Sequence, residues 1–88
     1  MDKNIVLIEW LDSCVPTNSW EWLEGAEHSK PVKCFSVGFL LEDEKDYKVI
    51  ASSIGDPKEN QQVIGVMTIP SCSIIRARNL KTIISKME

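Results

Sequence analysis

Most apolar residues in this sequence fall in short runs, rich in β-branched and aromatic side chains, and most of these runs end near turn-forming residues. The run 32–41 alternates large apolar residues with small or polar ones, and it stops at five consecutive charged residues, 42–46. Runs of this length and pattern are typical of strands. The sequence therefore predicts an all-β fold of about five strands, at 5–11, 32–41, 47–52, 63–69 and 74–78.

The alternation also predicts which side chains form the core, because residues two apart in a strand lie on the same face. Within the second, third and fourth predicted strands, the residues expected to face one shared core are Phe35, Val37, Phe39, Leu41, Val49, Ala51, Met67 and Ile69. Gly65 interrupts the fourth predicted strand, which indicates a bulge or a sharp bend there.

The end of the chain combines a turn, a strand and an amphipathic segment. Pro70 ends the fourth predicted strand, and the segment 71–73 is long enough only for a turn or one 3₁₀ turn. Asn79 stands where a helix N-cap belongs. The spacing i, i+3, i+4, i+7 then predicts a short C-terminal helix with an apolar stripe of Leu80, Ile83, Ile84 and Met87.

The strand, 3₁₀ turn and strand expected over 67–75 look like the unit that closes SH3-like barrels, which indicates a small antiparallel barrel. Together with 8–12, 36–40 and 49–52, this run resembles a group of small, largely uncharacterised bacteriophage accessory proteins. The shared motifs are apolar and structural and extend over most of the chain. The resemblance implies a compact SH3-like β-barrel and a role in phage counter-defence, and it transfers no catalytic residue.

With 88 residues the chain is expected to form one small domain, 1–88, whose core is thin. Association into a homo-oligomer is one way in which such a domain gains stability. No apolar run approaches the ~18 residues of a membrane-spanning helix, and the N-terminus lacks the pattern of a signal peptide. We therefore expect a cytoplasmic protein with no membrane partner, in the host cytoplasm if the protein is phage-encoded.

Charge is distributed unevenly along the sequence. Residues 1–75 contain six Lys or Arg against twelve Asp or Glu, whereas residues 76–88 contain four basic residues against one Glu. An acidic body disfavours broad binding of phosphates but allows one local contact with an anion. Arg76 and Arg78 fall on one face of the last predicted strand, followed by Lys81. This face is expected either to bind phosphate or nucleic acid or to be a solvated edge.

Two of the three tryptophans, Trp20 and Trp22, lie in the irregular segment between the first two predicted strands. Tryptophans in a loop are typical of interface anchors or of a stacking platform for a planar ligand. The alternative is that one of the pair joins Trp10 in the core, since large aromatic side chains are mostly buried. The sequence alone leaves both alternatives open.

Residues that could carry catalysis or bind a metal are few. Cys14, Cys34 and Cys72 are odd in number and widely spaced, which fits neither a disulfide framework nor a zinc site. Nothing in the spacing selects a cysteine partner for His28, the single histidine. The acidic run 42–46 lacks the ligand pattern of a calcium loop and is expected to be a solvated hairpin tip. We therefore predict no catalytic residue, no metal and no cofactor.

The leading hypothesis is a non-enzymatic binding protein that occupies a host protein or sequesters a small ligand. Its predicted binding residues are Trp20, Trp22, Arg76 and Arg78. The alternative hypothesis is a nucleic-acid-associated protein that combines its basic C-terminal end with aromatic stacking. The acidic composition disfavours that alternative, and the absence of an acid/base constellation disfavours an enzyme.

Overall fold

A computed structural model of the chain describes residues 3–15, 18–26, 28–56 and 58–80. These residues form seven strands and one 3₁₀ turn, so the prediction of a mainly β fold is confirmed. No helix within the described residues is long and apolar enough to cross a membrane. The strands are β1 (Ile5–Asp12), β2 (Val32–Asp43), β3 (Tyr47–Ala51), β4 (Ser53–Gly55), β5 (Gln62–Ile64), β6 (Met67–Pro70) and β7 (Ile74–Asn79), with the 3₁₀ turn at Ser71–Ser73.

Five of the strands form one sheet in the order β6-β3-β2-β1-β7, and all neighbouring strands in it are antiparallel. β4 and β5 form a separate two-stranded hairpin. Across the described residues β6 and β7 remain at opposite edges, so the sheet is open and the predicted closed barrel is wrong. β6 is short and ends at Pro70, which has no N–H to donate, and it therefore offers little backbone for closure.

Local turn signals account for most of the connections. The acidic run 42–46 forms the tip between β2 and β3, where the Glu44 N–H donates to the Tyr47 carbonyl at 2.9 Å. The predicted 3₁₀ turn is confirmed at Ser71–Ser73, between β6 and β7. The predicted C-terminal helix falls mainly on 81–88, which lie outside the described residues. Up to Leu80 the chain follows β1, because the Leu80 N–H donates to the Ile5 carbonyl at 2.8 Å.

The predicted fourth strand is divided at Gly65, which confirms the predicted irregularity. Gly65 has φ +68°, and a Cβ at this position would lie 2.2 Å from Ser52 Oγ. Ser52 in turn donates from its N–H and its Oγ to the Ile64 carbonyl, each at 3.0 Å. Gly65 lies at a bend between β5 and β6. β4 was not predicted, because residues 53–55 adjoin a stretch rich in turn residues.

The core lies on one face of the five-stranded sheet. Val6 and Ile8 of β1 pack with Ile50 of β3 and Ile69 of β6, and all four are buried. Three partly buried side chains complete the cluster: Trp10, Leu40 and Ile74.

The core face predicted for β2 is wrong. Phe35 and Val37 are exposed by 64% and 57%, whereas Gly38 on the opposite face is buried. In the register of the sheet, Val6 lies opposite Gly38 and Trp10 lies opposite Cys34, so the inner face of β2 is its face of small residues. Of the other predicted core residues, Ala51 and Ile69 are buried, Phe39, Leu41 and Val49 are half-buried, and Met67 is exposed.

Small inner residues on β2 make room for larger neighbours. The indole Nε1–H of Trp10 donates to Ser36 Oγ at 3.0 Å, so the half-buried ring also satisfies its polar atom. A Cβ on Gly38 would lie 2.8 Å from the Ala51 carbonyl oxygen. Leu40 packs against the core, whereas Phe35 and Val37 lie on the outer face of the sheet and are exposed.

Candidate functional site

The outer face of β2, β1 and β7 carries an aromatic ring, a carboxylate and two guanidinium groups. Glu9 of β1 lies opposite Phe35 of β2 on one side and opposite Arg76 of β7 on the other. Leu7, two residues before Glu9, lies opposite Arg78. Because directly paired residues point to the same face of a sheet, these side chains converge. They line a cleft of about 230 Å³, called here the outer cleft.

Glu9 is the electrostatic centre of the outer cleft. Glu9 is only 9% exposed, and Lys33 Nζ lies 3.0 Å from Glu9 Oε1. Arg76 donates from Nε and Nη2 to its Oε2, at 3.4 and 3.3 Å. The hydrogen bond from Lys33 holds the pKa of Glu9 below its ordinary value, and the charge of Lys33 and the contacts from Arg76 add to the effect against the opposing cost of burial. The carboxylate is therefore ionised and has a partner on both oxygens.

Glu9 and Lys33 were not predicted as members of a site. The available signal was the position of Glu9 as the one charge inside the apolar run 5–11. Buried carboxylates require paired charges, so such a residue predicts nearby cations. It does not say which ones, because Lys33 and Arg76 are distant from Glu9 along the chain.

The two predicted arginines lie on one face, as expected, but they differ in what they contact. Arg76 contacts Glu9. Arg78 also lines the outer cleft and has no ion pair with any residue in the described part of the chain. Within the described ranges the guanidinium of Arg78 therefore has no carboxylate partner and can contact an added anion.

The predicted tryptophans lie elsewhere, in the loop that joins β1 to β2. Trp20 is fully exposed, Trp22 is 90% exposed and the adjacent Leu23 is 92% exposed. The alternative that one of them joins Trp10 in the core is therefore wrong. Trp10 alone of the three tryptophans packs against the buried cluster. Trp20, Trp22 and Leu23 form the second candidate surface, called here the tryptophan loop.

The three cysteines and the histidine differ in their exposure to solvent. Cys14, Cys72 and His28 are exposed, Cys34 is half-buried, and all three thiols are free of disulfides. No group of three or more His, Cys, Asp or Glu that could hold a metal occurs in ranges 3–15, 18–26, 28–56 and 58–80. In the acidic run 42–46, Asp43 forms an ion pair with Lys48, and all five residues are exposed, as expected for a solvated hairpin tip.

The chain was also compared with known proteins. No family model, no curated protein and no solved structure matches it.

Proposed function

We propose that this protein is a non-enzymatic binding protein that occupies a host protein through its tryptophan loop. The observation that carries the proposal is the nearly complete exposure of Trp20, Trp22 and Leu23. Single exposed apolar residues are common on protein surfaces, but three large ones within four positions are a concentrated apolar patch. Tryptophan is also the residue type most enriched among those that dominate binding energy at interfaces.

The charges around the tryptophan loop indicate the kind of surface that fits it. Residues 18–26 contain Glu21 and Glu24 and no Lys or Arg. Both carboxylates are exposed and flank the indole rings in sequence. The complementary partner surface is an apolar cleft with a basic rim, because opposite charges at the rim accelerate association and exclude wrong partners.

The test is a capture experiment followed by measurement of affinity. The tagged full-length protein is used to isolate partners from host lysate, and each captured protein is purified and titrated against the wild type. The double variant Trp20→Ala, Trp22→Ala is compared with a control that removes two exposed apolar side chains from the β4-β5 hairpin, Val63→Ala and Ile64→Ala.

The tryptophan variant should weaken binding by at least ~30-fold, because truncating one anchoring tryptophan costs about 2 kcal/mol or more. The control variant should bind like the wild type. Higher salt should slow association with the basic rim, and the wild-type indole fluorescence should shift to shorter wavelength on binding. A folded tryptophan variant that binds as tightly as the control would contradict the proposal.

Nucleic acid is the second candidate, favoured by the placement of Arg76 and Arg78 on one face. Arg76 is already engaged by Glu9, and Lys81 lies outside the described residues, so Arg78 is the available cation of this set in the described chain. An oligonucleotide titration at two salt concentrations separates the hypotheses. Binding that falls steeply with salt and is weakened by Arg78→Ala, but not by the tryptophan variant, would favour nucleic acid.

We also propose the biological setting that the resemblance implies: a phage accessory protein that acts in counter-defence. An SH3-like relationship is supported by the chain path, in which a 3₁₀ turn joins the two edge strands of the five-stranded sheet. A homo-oligomer is supported by those same edges, since edge strands offer backbone groups to another chain. Native mass spectrometry of the purified protein reports the number of subunits and any retained ligand together.

A further inference from the structure

The outer cleft contains no residue of the tryptophan loop and offers a second site, for a ligand other than a host protein. Its volume is about 230 Å³. Sites for drug-sized molecules usually occupy ~300–1,000 Å³, so this cleft suits a smaller ligand of about one ring and one polar group. Its lining combines hydrocarbon from Leu7 and Phe35 with the polar ends of Glu9, Arg76 and Arg78.

The charge in and beside the outer cleft favours an anion. Lys33 and Arg76 contact the single carboxylate of Glu9, and Arg78 adds a third positive charge to the lining of the same cleft. Both oxygens of Glu9 already have cationic partners, which reduces its repulsion of a second negative group. Arg76 uses Nε and Nη2 for Glu9, which leaves the Nη1 donors for a ligand.

The apolar side of the cleft favours a planar ring. Phe35 is 64% exposed, and it lies on the far side of Glu9 from Arg76. Because β2 and β7 both flank β1, their backbones are ~10 Å apart, and the long arginine side chains shorten the gap between Phe35 and the guanidinium groups. A ring stacked on Phe35 therefore brings a directly attached anionic group within reach of the arginines.

We propose that the outer cleft binds a small planar anion, an aromatic ring that carries one phosphate or carboxylate group. Phe35 stacks on the ring, and Arg78 donates charge-assisted hydrogen bonds to the anionic group. Arg76 is positioned by Glu9 and contributes its remaining donors. Glu9 and Lys33 act as positioning residues that hold Arg76 at the edge of the cleft.

The probes for the test are phenyl phosphate and benzoate, with inorganic phosphate as the anion that has no ring. Each is titrated into the full-length protein and followed by amide NMR. Saturable shifts are expected at the strand residues that line the outer cleft. Phenyl phosphate should bind about tenfold tighter than inorganic phosphate, because only the former stacks on Phe35. The relative affinity of benzoate distinguishes a phosphate site from a carboxylate site.

Substitutions in and away from the outer cleft test whether phenyl phosphate binds there. Arg78→Ala should weaken the binding of phenyl phosphate by about tenfold or more. Phe35→Leu should remove the preference for phenyl phosphate over inorganic phosphate. Lys45→Ala removes one positive charge at the exposed hairpin tip, and it should leave the affinity within about twofold of wild type. Arg78→Gln keeps a shorter polar side chain without the charge and repeats the test in a second variant.

Two results would overturn the proposal: no saturable shift at about 20 mM phenyl phosphate, or equal loss of affinity in Arg78→Ala and Lys45→Ala. Both readouts are independent of the tryptophan loop. If the protein binds phenyl phosphate but captures no partner through the tryptophan loop, only the proposed function is refuted. If it captures a partner through that loop but does not bind phenyl phosphate, only the present inference is refuted.

Discussion

Replacing Gly38 by alanine tests the inverted orientation of β2 directly. An added Cβ would lie 2.8 Å from the Ala51 carbonyl oxygen, 3.2 Å from Ile50 Cβ and 3.3 Å from the Ala51 carbonyl carbon. Two of these atoms belong to the backbone of β3 and cannot rotate away. Overpacking of this kind costs about 1–3 kcal/mol, and the reduced freedom of the unfolded chain offsets about 0.4–1 kcal/mol of it. We expect a net loss of about 1–2 kcal/mol in the free energy of unfolding.

Thermal unfolding followed by circular dichroism measures this loss. For a domain of this size, 1 kcal/mol corresponds to ~4–8 °C, so Gly38→Ala should lower Tm by about 4–16 °C. Gly55→Ala is the matched control, because Gly55 also lies in a strand and a Cβ there meets nothing within 4 Å. The control should keep or slightly raise Tm. If the two variants melted together, the small-residue face of β2 would not be packed against β3.

Two further predictions concern polar groups of the sheet. The pKa of Glu9 lies below its ordinary 4.5, so its contribution to stability is complete above that pH and is lost as pH falls through the lower folded pKa. Tm should therefore fall on acidification below about pH 4.5 less steeply in Glu9→Gln than in wild type, and an unchanged slope would contradict this role. Ser36→Ala leaves the Trp10 indole N–H without its acceptor and should cost about 1 kcal/mol in chemical denaturation, whereas Ser53→Ala, in an exposed position of β4, should cost nothing measurable.

Most of the local structure of this protein follows from patterns within short stretches of its sequence. The strands at 5–11, 32–41 and 74–78, the acidic hairpin tip and the 3₁₀ turn after Pro70 all occur where periodicity and turn residues predict them. The irregularity at Gly65 was predicted in the same way. These features depend on residues that are close together in the sequence, so local sequence patterns are sufficient to predict them. The arginines of β7 were also placed on one face by alternation alone.

The buried face of β2 and the open form of the sheet depend instead on contacts between distant strands. Alternation shows that β2 has two faces, and hydrophobicity favours the face with Phe35 as the core. The bulky side chains of β1 and β3 instead pack on the face with Gly38, because a small residue there lets the strands approach closely. The pairing of Glu9 with Lys33 and Arg76, like the exposure of Trp20, depends on contacts between residues far apart in sequence. Local patterns do not contain such contacts, because packing and strand register bring those residues together only when the sheet has formed.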